Sequence, residues 1–219
     1  MGIVHDALRR DLRRTRAALT SSPFPDGARR TALAAHLDWM MRFLHAHHGG
    51  EDAGLYPMVR AADPSAATLL DAMAADHGSI DPAMEHLTAA TQRWGRSGGE
   101  ADRIALGAAL DALGDVLLPH LEREETQAMP LVSATLTHRQ WHEWDQTHNI
   151  GPKSLPVLAE EGLWRMDDLD EPGRQVVLHE VPLIPRLIVL YGFGARYRRH
   201  AAERWGARSP AVNSNGSSP

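Results

Sequence analysis

The chain has 219 residues, a net charge of −5, thirteen histidines and no cysteine. The lack of cysteine excludes disulfides, zinc–thiolate sites and thiol catalysis, and the acidic balance argues against general nucleic-acid binding. The lack of cysteine also fits a cytoplasmic protein, which is the location we expect. The N-terminal stretch MGIVHDALRRDLRR lacks the apolar core of a signal peptide, and we expect no helix that spans a membrane.

Residues 1–135 are predicted to form one domain of four helices. Ala, Leu, Arg and Glu dominate this region, strand-like alternation is absent, and Pro, Gly or Ser clusters separate the periodic segments. The predicted helices span about 3–20, 28–61, 65–94 and 100–128. Because the connections are short, neighbouring helices should be antiparallel. This predicts an all-α fold, an up-down-up-down four-helix bundle with a C-terminal extension.

Residues 136–208 are predicted to form that extension, which we expect to be partly helical, and residues 209–219 to form a disordered tail. Thr137 would cap a short helix within THRQWHEWDQTH. The segment 181–208 carries six arginines and one glutamate. Its apolar stretch 187–195 is too short to span a bilayer. The flanking arginines would suit peripheral contact with a membrane or a protein partner, and packing on the acidic bundle explains them equally well.

Each predicted helix places a histidine on its inward apolar stripe, at helical spacings of three and four. On the second and fourth helices the stripe ends in an HxxxE pair. A single histidine on an apolar face is usually a hydrogen-bonded core residue. Burying six polar groups without partners would cost several kcal/mol each, and a metal centre would satisfy them together. The six candidate metal ligands are His5, His47, Glu51, His77, His120 and Glu124.

These groups can meet, because the start of the first helix and the ends of the second and fourth share one end of an antiparallel bundle, with His77 near the middle of the third helix. Four histidines and two carboxylates are too many for one ordinary zinc or iron site and suit two ions. With both glutamates and an oxo or hydroxo group bridging, one position per ion stays open for a small exogenous ligand. Mixed imidazole and carboxylate ligands favour two iron ions, with manganese less suitable.

This series resembles the hemerythrin-like, or HHE cation-binding, domain over about residues 3–135. The matching stretches are HDALRRDL, HxxxE followed by LYP, ADHGSID, and PHLEREE followed by MPLV. The series H…HxxxE…H…HxxxE is similar to the bacterial subgroup with fewer histidines. The resemblance implies a non-haem di-iron centre that binds O2, peroxide or nitric oxide, and it implies the same six residues as ligands.

The sequence departs from the invertebrate oxygen carriers of that family on two helices. They have HxxxH on the third helix, whereas here the turns either side of His77 carry Met73 and Asp81. They have HxxxxD on the fourth helix, whereas here a glutamate stands at the fourth spacing and Glu125 follows it as a substitute. One fewer protein ligand would leave the centre more open, which favours turnover of peroxide over reversible binding of O2.

The function that we expect is therefore defence against oxidative or nitrosative stress by peroxide disproportionation, and whether the protein is an enzyme stays open. An alternative is an O2 or iron sensor, or an iron-handling module, that signals through the extension. A bundle with buried polar histidines and no metal is the third alternative. The missing ligand could also come from one of four neighbours: His48, Asp52, Tyr56 or Asp81.

The remaining histidines are expected to lie outside the site. His48 is turned about 100° round the helix from His47, and we interpret it as the weaker candidate. His36 lies three turns before His47, roughly 16 Å away, so a core or surface position is expected. His138 and His142 are interpreted as a solvated helix face.

Gly49 and Gly50 stand between His47 and Glu51, where each costs a helix about 1 kcal/mol relative to alanine. Because glycine has no side chain, we interpret them as leaving less protein between the metals and the surroundings of the helix. They would either admit a small ligand or let another segment pack tightly there.

Overall fold

The computed structural model describes residues 1–179 and 187–206, and every regular element in these two ranges is helical. The predicted disordered tail 209–219 and parts of the basic segment, 181–186 and 207–208, lie outside the described residues. The α-helices in the described ranges are α1 (Gly2–Thr20), α2 (Gly27–Gly50), α3 (Tyr56–Ala62), α4 (Ala67–Ser97), α5 (Glu100–Arg123), α6 (Met129–Thr135), α7 (His138–Asp145), α8 (Leu155–Met166), α9 (Glu171–His179) and α10 (Gly194–Trp205).

The predicted four-helix bundle is confirmed. The second predicted helix is α2 continued by α3, and the fourth is α5 continued by α6. Helix α4 packs against both α2 and α5, and α1 packs against α5. The inward stripes expected from the sequence are buried in all four helices. Because each buried Leu or Met contributes about 1.5 to 3 kcal/mol, these stripes hold the bundle together.

Both helices that carry an HxxxE pair contain a widened turn that starts at the glutamate. The N–H of Tyr56 bonds to the carbonyl of Glu51, and the N–H of Met129 bonds to the carbonyl of Glu124, five residues back in each case. A proline follows each of these donors, at Pro57 and Pro130. Proline lacks an N–H, and its ring clashes with the carbonyl four residues before it. The sequence E-x5-P therefore accounts for a π turn at the same place in both helices.

The continuous helical stretch Glu100–Thr135 departs from our expectation about membrane spans. It is long enough to cross a bilayer and contains an 18-residue window of mean hydropathy 1.4, of which 44 % is buried inside the protein. Its inward face carries His120 and Glu124, both fully buried among the other bundle helices. We interpret it as a core helix of the bundle.

The described part of the extension folds back onto the bundle. Helix α7 begins at the predicted cap, where Thr137 accepts a hydrogen bond from the N–H of Gln140 and the Gln140 side chain accepts one from the N–H of Thr137. Helix α8 packs against α1 and inserts Trp164 into the main core. Helix α10, the described end of the basic segment, packs along α2. The extension thus reaches the same helix that bears His47 and Glu51.

Candidate metal centre

Two groups of three buried side chains lie side by side at one end of the bundle. The first is His5, His47 and Glu124, and the second is His48, His77 and His120. Within each group one ligand atom from each residue lies within 4.8 Å of the others. Each group therefore has the donor types and the spacing that can hold one cation.

The two glutamates face both groups. Glu51 Oε1 lies 3.2 Å from His47 Nε2, and its other oxygen lies 3.6 Å from His77 Nε2. Glu124 Oε2 lies 3.1 Å from His5 Nε2 and 4.0 Å from His120 Nε2. Each carboxylate therefore stands between a histidine of the first group and a histidine of the second. This is the placement of a bridging ligand.

The polar atoms that converge on this space are buried and have no hydrogen-bond partner among the described residues. A carboxylate oxygen or ring nitrogen left this way costs several kcal/mol in an apolar interior, and cations bound between the two groups would satisfy the whole set. The unsatisfied atoms are the Nε2 atoms of His5, His47, His48, His77 and His120, Nδ1 of His48, and all four carboxylate oxygens of Glu51 and Glu124. The residues present therefore fit a binuclear metal site.

Carboxylates hold the outer nitrogens of two of these rings. His5 Nδ1 donates to Glu125 Oε1 at 2.8 Å, and Arg9 donates to both oxygens of Glu125. His77 Nδ1 donates to Asp52 Oδ1 at 2.9 Å. A hydrogen bond of this kind fixes the tautomer that leaves Nε2 free for a metal, and it raises the basicity of the ligand. Burial would raise the pKa of Glu125, but the hydrogen bonds from Arg9 and His5 lower it.

The electrostatics of the site also prepare it for cations. Burial lowers the pKa of His47 to about 3 and that of His120 to about 4, which keeps both rings neutral, as a metal ligand must be. Burial and the nearby charge of Glu124 raise the pKa of Glu51 well above its usual range. Burial would also raise the pKa of Glu124, but the adjacent His5 ring, 3.1 Å away, and the neighbouring histidines lower it to about 2. Two adjacent buried carboxylates favour positive charge between them.

All six residues predicted as ligands lie in this space, and a seventh joins them. His48 is buried, and its ring stacks on that of His77 with centroids 4.1 Å apart. Our interpretation of His48 as the weaker candidate is therefore wrong. Adjacent helical residues differ by about 100°, and here His47 faces the first group while His48 faces the second. The expected shortfall of one ligand is also not found, because His48 brings the histidines around the site to five among the described residues.

The other three neighbours considered as ligands occupy different positions. Asp52 hydrogen-bonds the outer nitrogen of His77. Asp81 lies near the exposed His45, at 3.6 Å. The Tyr56 ring stacks on His77 with centroids 5.8 Å apart, and its hydroxyl is buried without a hydrogen-bond partner in the described part of the chain. Burial raises the pKa of Tyr56, so the phenol keeps its proton. Tyr56 can therefore donate a hydrogen bond inside the site.

His36 lies outside the metal centre, as predicted, and is a buried core residue. Its Nε2 donates to Asp11 Oδ2 at 2.7 Å, and its Nδ1 accepts from Arg204 Nη1 at 2.7 Å. Burial lowers the pKa of His36, so the ring is neutral and uses both nitrogens. His138 and His142 are exposed, in agreement with a solvated helix face.

The glycines beside the ligands face two different surroundings. A Cβ on Gly49 would meet nothing within 4 Å, whereas a Cβ on Gly50 would lie 3.2 Å from His148 Cβ. The Trp144 Nε1 donates to the Gly50 carbonyl at 2.9 Å. At Gly54 a Cβ would lie 2.7 Å from Trp144 Cδ1. The extension therefore packs tightly over Gly50 and Gly54, as one of our two interpretations expected, while Gly49 stays uncovered.

Two signals in the sequence could have pointed to features that we did not predict. The doublet His47–His48 is the pattern by which one helix can serve two adjacent metals. The repeat of E-x5-P after each HxxxE motif marks both π turns. No comparable local signal marks Trp164, because its burial depends on how the extension folds back.

Comparison with known proteins agrees with this geometry. Searches of the curated proteins and of the solved structures return no match. The family described as the hemerythrin HHE cation binding domain matches residues 3–132, which is more than half of the chain and contains all seven side chains of the site. The chain therefore belongs to the hemerythrin HHE cation-binding family.

Proposed function

We propose that the protein binds two iron ions and uses them to bind and disproportionate peroxide in defence against oxidative stress, with O2 and nitric oxide as further small ligands. The observation that carries this proposal is the pair of buried ligand groups bridged by Glu51 and Glu124. Imidazole and carboxylate donors together suit iron, and manganese less well.

The ligand count favours one open position rather than two. The second group offers three imidazoles and the two shared carboxylates, so five side chains would hold its ion and leave little room for a further ligand. The first group offers two imidazoles, from His5 and His47, and the same carboxylates. The exogenous ligand would therefore bind on the side of His5 and His47. This count removes one reason for favouring peroxide over O2, because the centre is less open than the sequence indicated.

Peroxide is then favoured as the substrate because the centre could exchange two electrons and because Tyr56 offers a hydrogen-bond donor inside the site. Two bound iron ions can take up and return the two electrons that the reaction 2 H2O2 → 2 H2O + O2 moves. The chain supplies the surroundings: neutral imidazoles hold the metals, the carboxylates of Asp52 and Glu125 orient two of those imidazoles, and the protonated phenol of Tyr56 can donate a hydrogen bond. The apolar side chains packed around the site exclude bulk water.

Metal analysis and oxygen release test this proposal. Purified protein loaded with iron should contain two ions per chain and release O2 from H2O2. His120→Ala should lose metal and activity, whereas His45→Ala, which changes an exposed histidine on the same helix as His47, should keep both. If the iron-loaded protein released no O2, and His120→Ala behaved like the parent protein, the proposed enzymatic activity would be rejected.

A second candidate function is sensing of iron or O2 through the extension. The observation in its favour is that Trp144 hydrogen-bonds the Gly50 carbonyl, one residue before the ligand Glu51. A change in the metal centre could therefore loosen the extension from the bundle. Limited proteolysis with and without iron would show this as a difference in cleavage after residue 136, and equal protection would reject it.

We also propose a cytoplasmic location and a peripheral contact with a membrane or a protein through the basic segment. Tyr191, which is 81 % exposed, lies in its described part and offers an aromatic ring to such a partner. Cell fractionation of the full chain and of Tyr191→Ser tests both proposals.

A further inference from the structure

A column of aromatic side chains runs along α2 away from the metal centre. Trp39, Phe43 and His47 follow one another at four-residue spacing, so their rings lie on one face of the helix. The Phe43 ring stacks on that of His47, with centroids 6.0 Å apart and an angle of 12° between the planes. Trp39 stacks on Phe43 at 5.8 Å. The column thus begins at a candidate metal ligand.

Trp164 of α8 packs against the side of this column and contacts both Phe43 and Trp39. Its ring centroid lies 4.9 Å from that of Phe43 and 5.1 Å from that of Trp39, and the side chain is fully buried. Each of these separations falls within the range of contacting aromatic pairs. Continuous ring contact therefore joins His47 to Trp39.

A buried carboxylate stands at the indole nitrogen of Trp164. Trp164 Nε1 donates to Asp11 Oδ2 at 2.8 Å. Burial would raise the pKa of Asp11, but hydrogen bonds from His36 and Arg10 lower it below its usual range, so the group is ionised. A negative charge in contact with an indole stabilises the positive charge that remains when the ring gives up one electron. Trp164 is therefore suited to lose and regain an electron.

Trp39 brings the column to the surface. It is partly buried and lines an open cleft between α2 and the extension, with small side chains from α2 such as Ala32 and Ala35 beside it. The exposed Glu160 and Glu203 line the same cleft, as do His200 and the buried Arg204, whose guanidinium is hydrogen-bonded to His36. A flat aromatic molecule that is neutral or positively charged matches these surroundings.

We propose that this column conducts single electrons from a small aromatic donor in the Trp39 cleft to the metal centre, which gives the protein a peroxidase activity beside disproportionation. The inference rests on the proposed function, because peroxide is the oxidant. Two donor molecules D each lose one electron at the cleft, and peroxide takes up these electrons with two protons from solvent: H2O2 + 2 D + 2 H+ → 2 H2O + 2 D+. Trp39 and Trp164 pass the electrons inward, whereas Phe43 lies between Trp39 and His47 without being oxidised itself, and all three rings end unchanged.

The rate of donor oxidation tests the column directly. The iron-loaded full chain is given H2O2 and tetramethylphenylenediamine, whose product of one-electron oxidation is coloured, and oxygen release is recorded in the same sample. Trp39→Leu should lower the rate of colour formation to that of metal-free protein and should keep the oxygen release. Trp141→Leu is the matched control, because Trp141 is also partly buried but lies in α7, away from the column. It should change neither rate.

A second measurement needs no variant. Without an added donor, the oxidised centre should draw electrons from the column, and oxidation products should collect at Trp39 rather than at Trp141. Peptide mass spectrometry after exposure to H2O2 maps them. Equal oxidation of Trp39 and Trp141, or colour formation that Trp39→Leu leaves unchanged while oxygen is released, would overturn the conduction of electrons and leave disproportionation standing. Iron-loaded protein that neither releases oxygen nor oxidises the donor would overturn both.

Discussion

His36 and the histidines of the metal centre are about equally buried, yet they differ in how their ring nitrogens are used. Both nitrogens of His36 are hydrogen-bonded, one to Asp11 and the other to Arg204. At the metal centre, by contrast, the inward nitrogens of the five histidines have no hydrogen-bond partner in the described ranges. Burial therefore does not separate a structural histidine from a ligand. What separates them is whether both ring nitrogens have a hydrogen-bond partner, because a native protein core leaves few buried nitrogen atoms without one.

Among the variants that test this difference, removal of a carboxylate shared by both groups should have the largest effect on the metal content. Glu51→Ala takes away a ligand that both groups share, so we expect loss of both metal ions, measured by metal analysis of purified protein. Glu51→Gln keeps an oxygen and the volume of the side chain, and it should recover part of the metal content. Full metal content in Glu51→Ala would show that the carboxylate does not bridge.

His48 offers the sharper test of which histidines belong to the centre. His48→Ala removes an imidazole from the second group only, so we expect metal to be lost mainly from that group and the content to fall towards one ion per chain. His45→Ala is the matched control, since His45 is 75 % exposed three residues away. If both variants kept two ions, His48 would be a packing residue like His36.

His36→Ala should show the opposite behaviour. It leaves Asp11 and Arg204 each without one hydrogen-bond partner in the core, which costs about 1 to 3 kcal/mol for a buried group. We expect this loss of unfolding free energy in urea denaturation, with an unchanged number of metal ions per chain. A drop in metal content without a loss of stability would contradict the structural role.

The metal-free protein should lose stability in mild acid. Burial lowers the pKa of His47 to about 3 and that of His120 to about 4 in the folded protein, whereas an unfolded histidine titrates near about 6.5. Below that pH the unfolded chain binds protons that the folded chain does not, so the free energy of unfolding falls as pH decreases from about 6.5 to about 4. Urea midpoints of the metal-free protein across this window measure it. A flat profile would mean that these rings are solvated.

The glycines beside the ligands should give the smallest effects, with opposite signs. Gly49→Ala places a methyl group in open space on a helix and should stabilise the protein by about 1 kcal/mol. Gly54→Ala would push against Trp144 and should lower the melting temperature. Gly50→Ala should not share this gain, since its added Cβ would lie 3.2 Å from His148 Cβ. Equal melting temperatures for all three single variants would mean that the extension does not cover this turn.

The bundle and most of its site follow from local patterns. Leucine stripes that run into His47 and His120 predict both the buried face and the depth at which the ligands lie, because a helix repeats every 3.6 residues. The family match over residues 3–132 agrees with that pattern. The contact of His48 with His77 depends instead on how α2 and α4 are rotated against each other, and helical spacing alone assigned His48 to the wrong side.

The extension shows where sequence reasoning ends. Thr137 correctly predicts the start of α7, because the helix cap that it forms with Gln140 involves only residues close in sequence. The insertion of Trp164 against Phe43, and the hydrogen bond between Trp144 and Gly50, join residues about a hundred positions apart in the chain. They depend on tertiary packing, which overrides local preference. The tight cover over Gly50 was foreseen only as one of two interpretations.

The metal content of the purified, iron-loaded parent protein tests the central claim most directly, and it should be read beside that of His36→Ala. Two ions per chain in both proteins, held by the groups that Glu51 and Glu124 bridge, is the predicted result. A parent protein that binds no metal, or one that loses its metal when His36 is replaced, would contradict it.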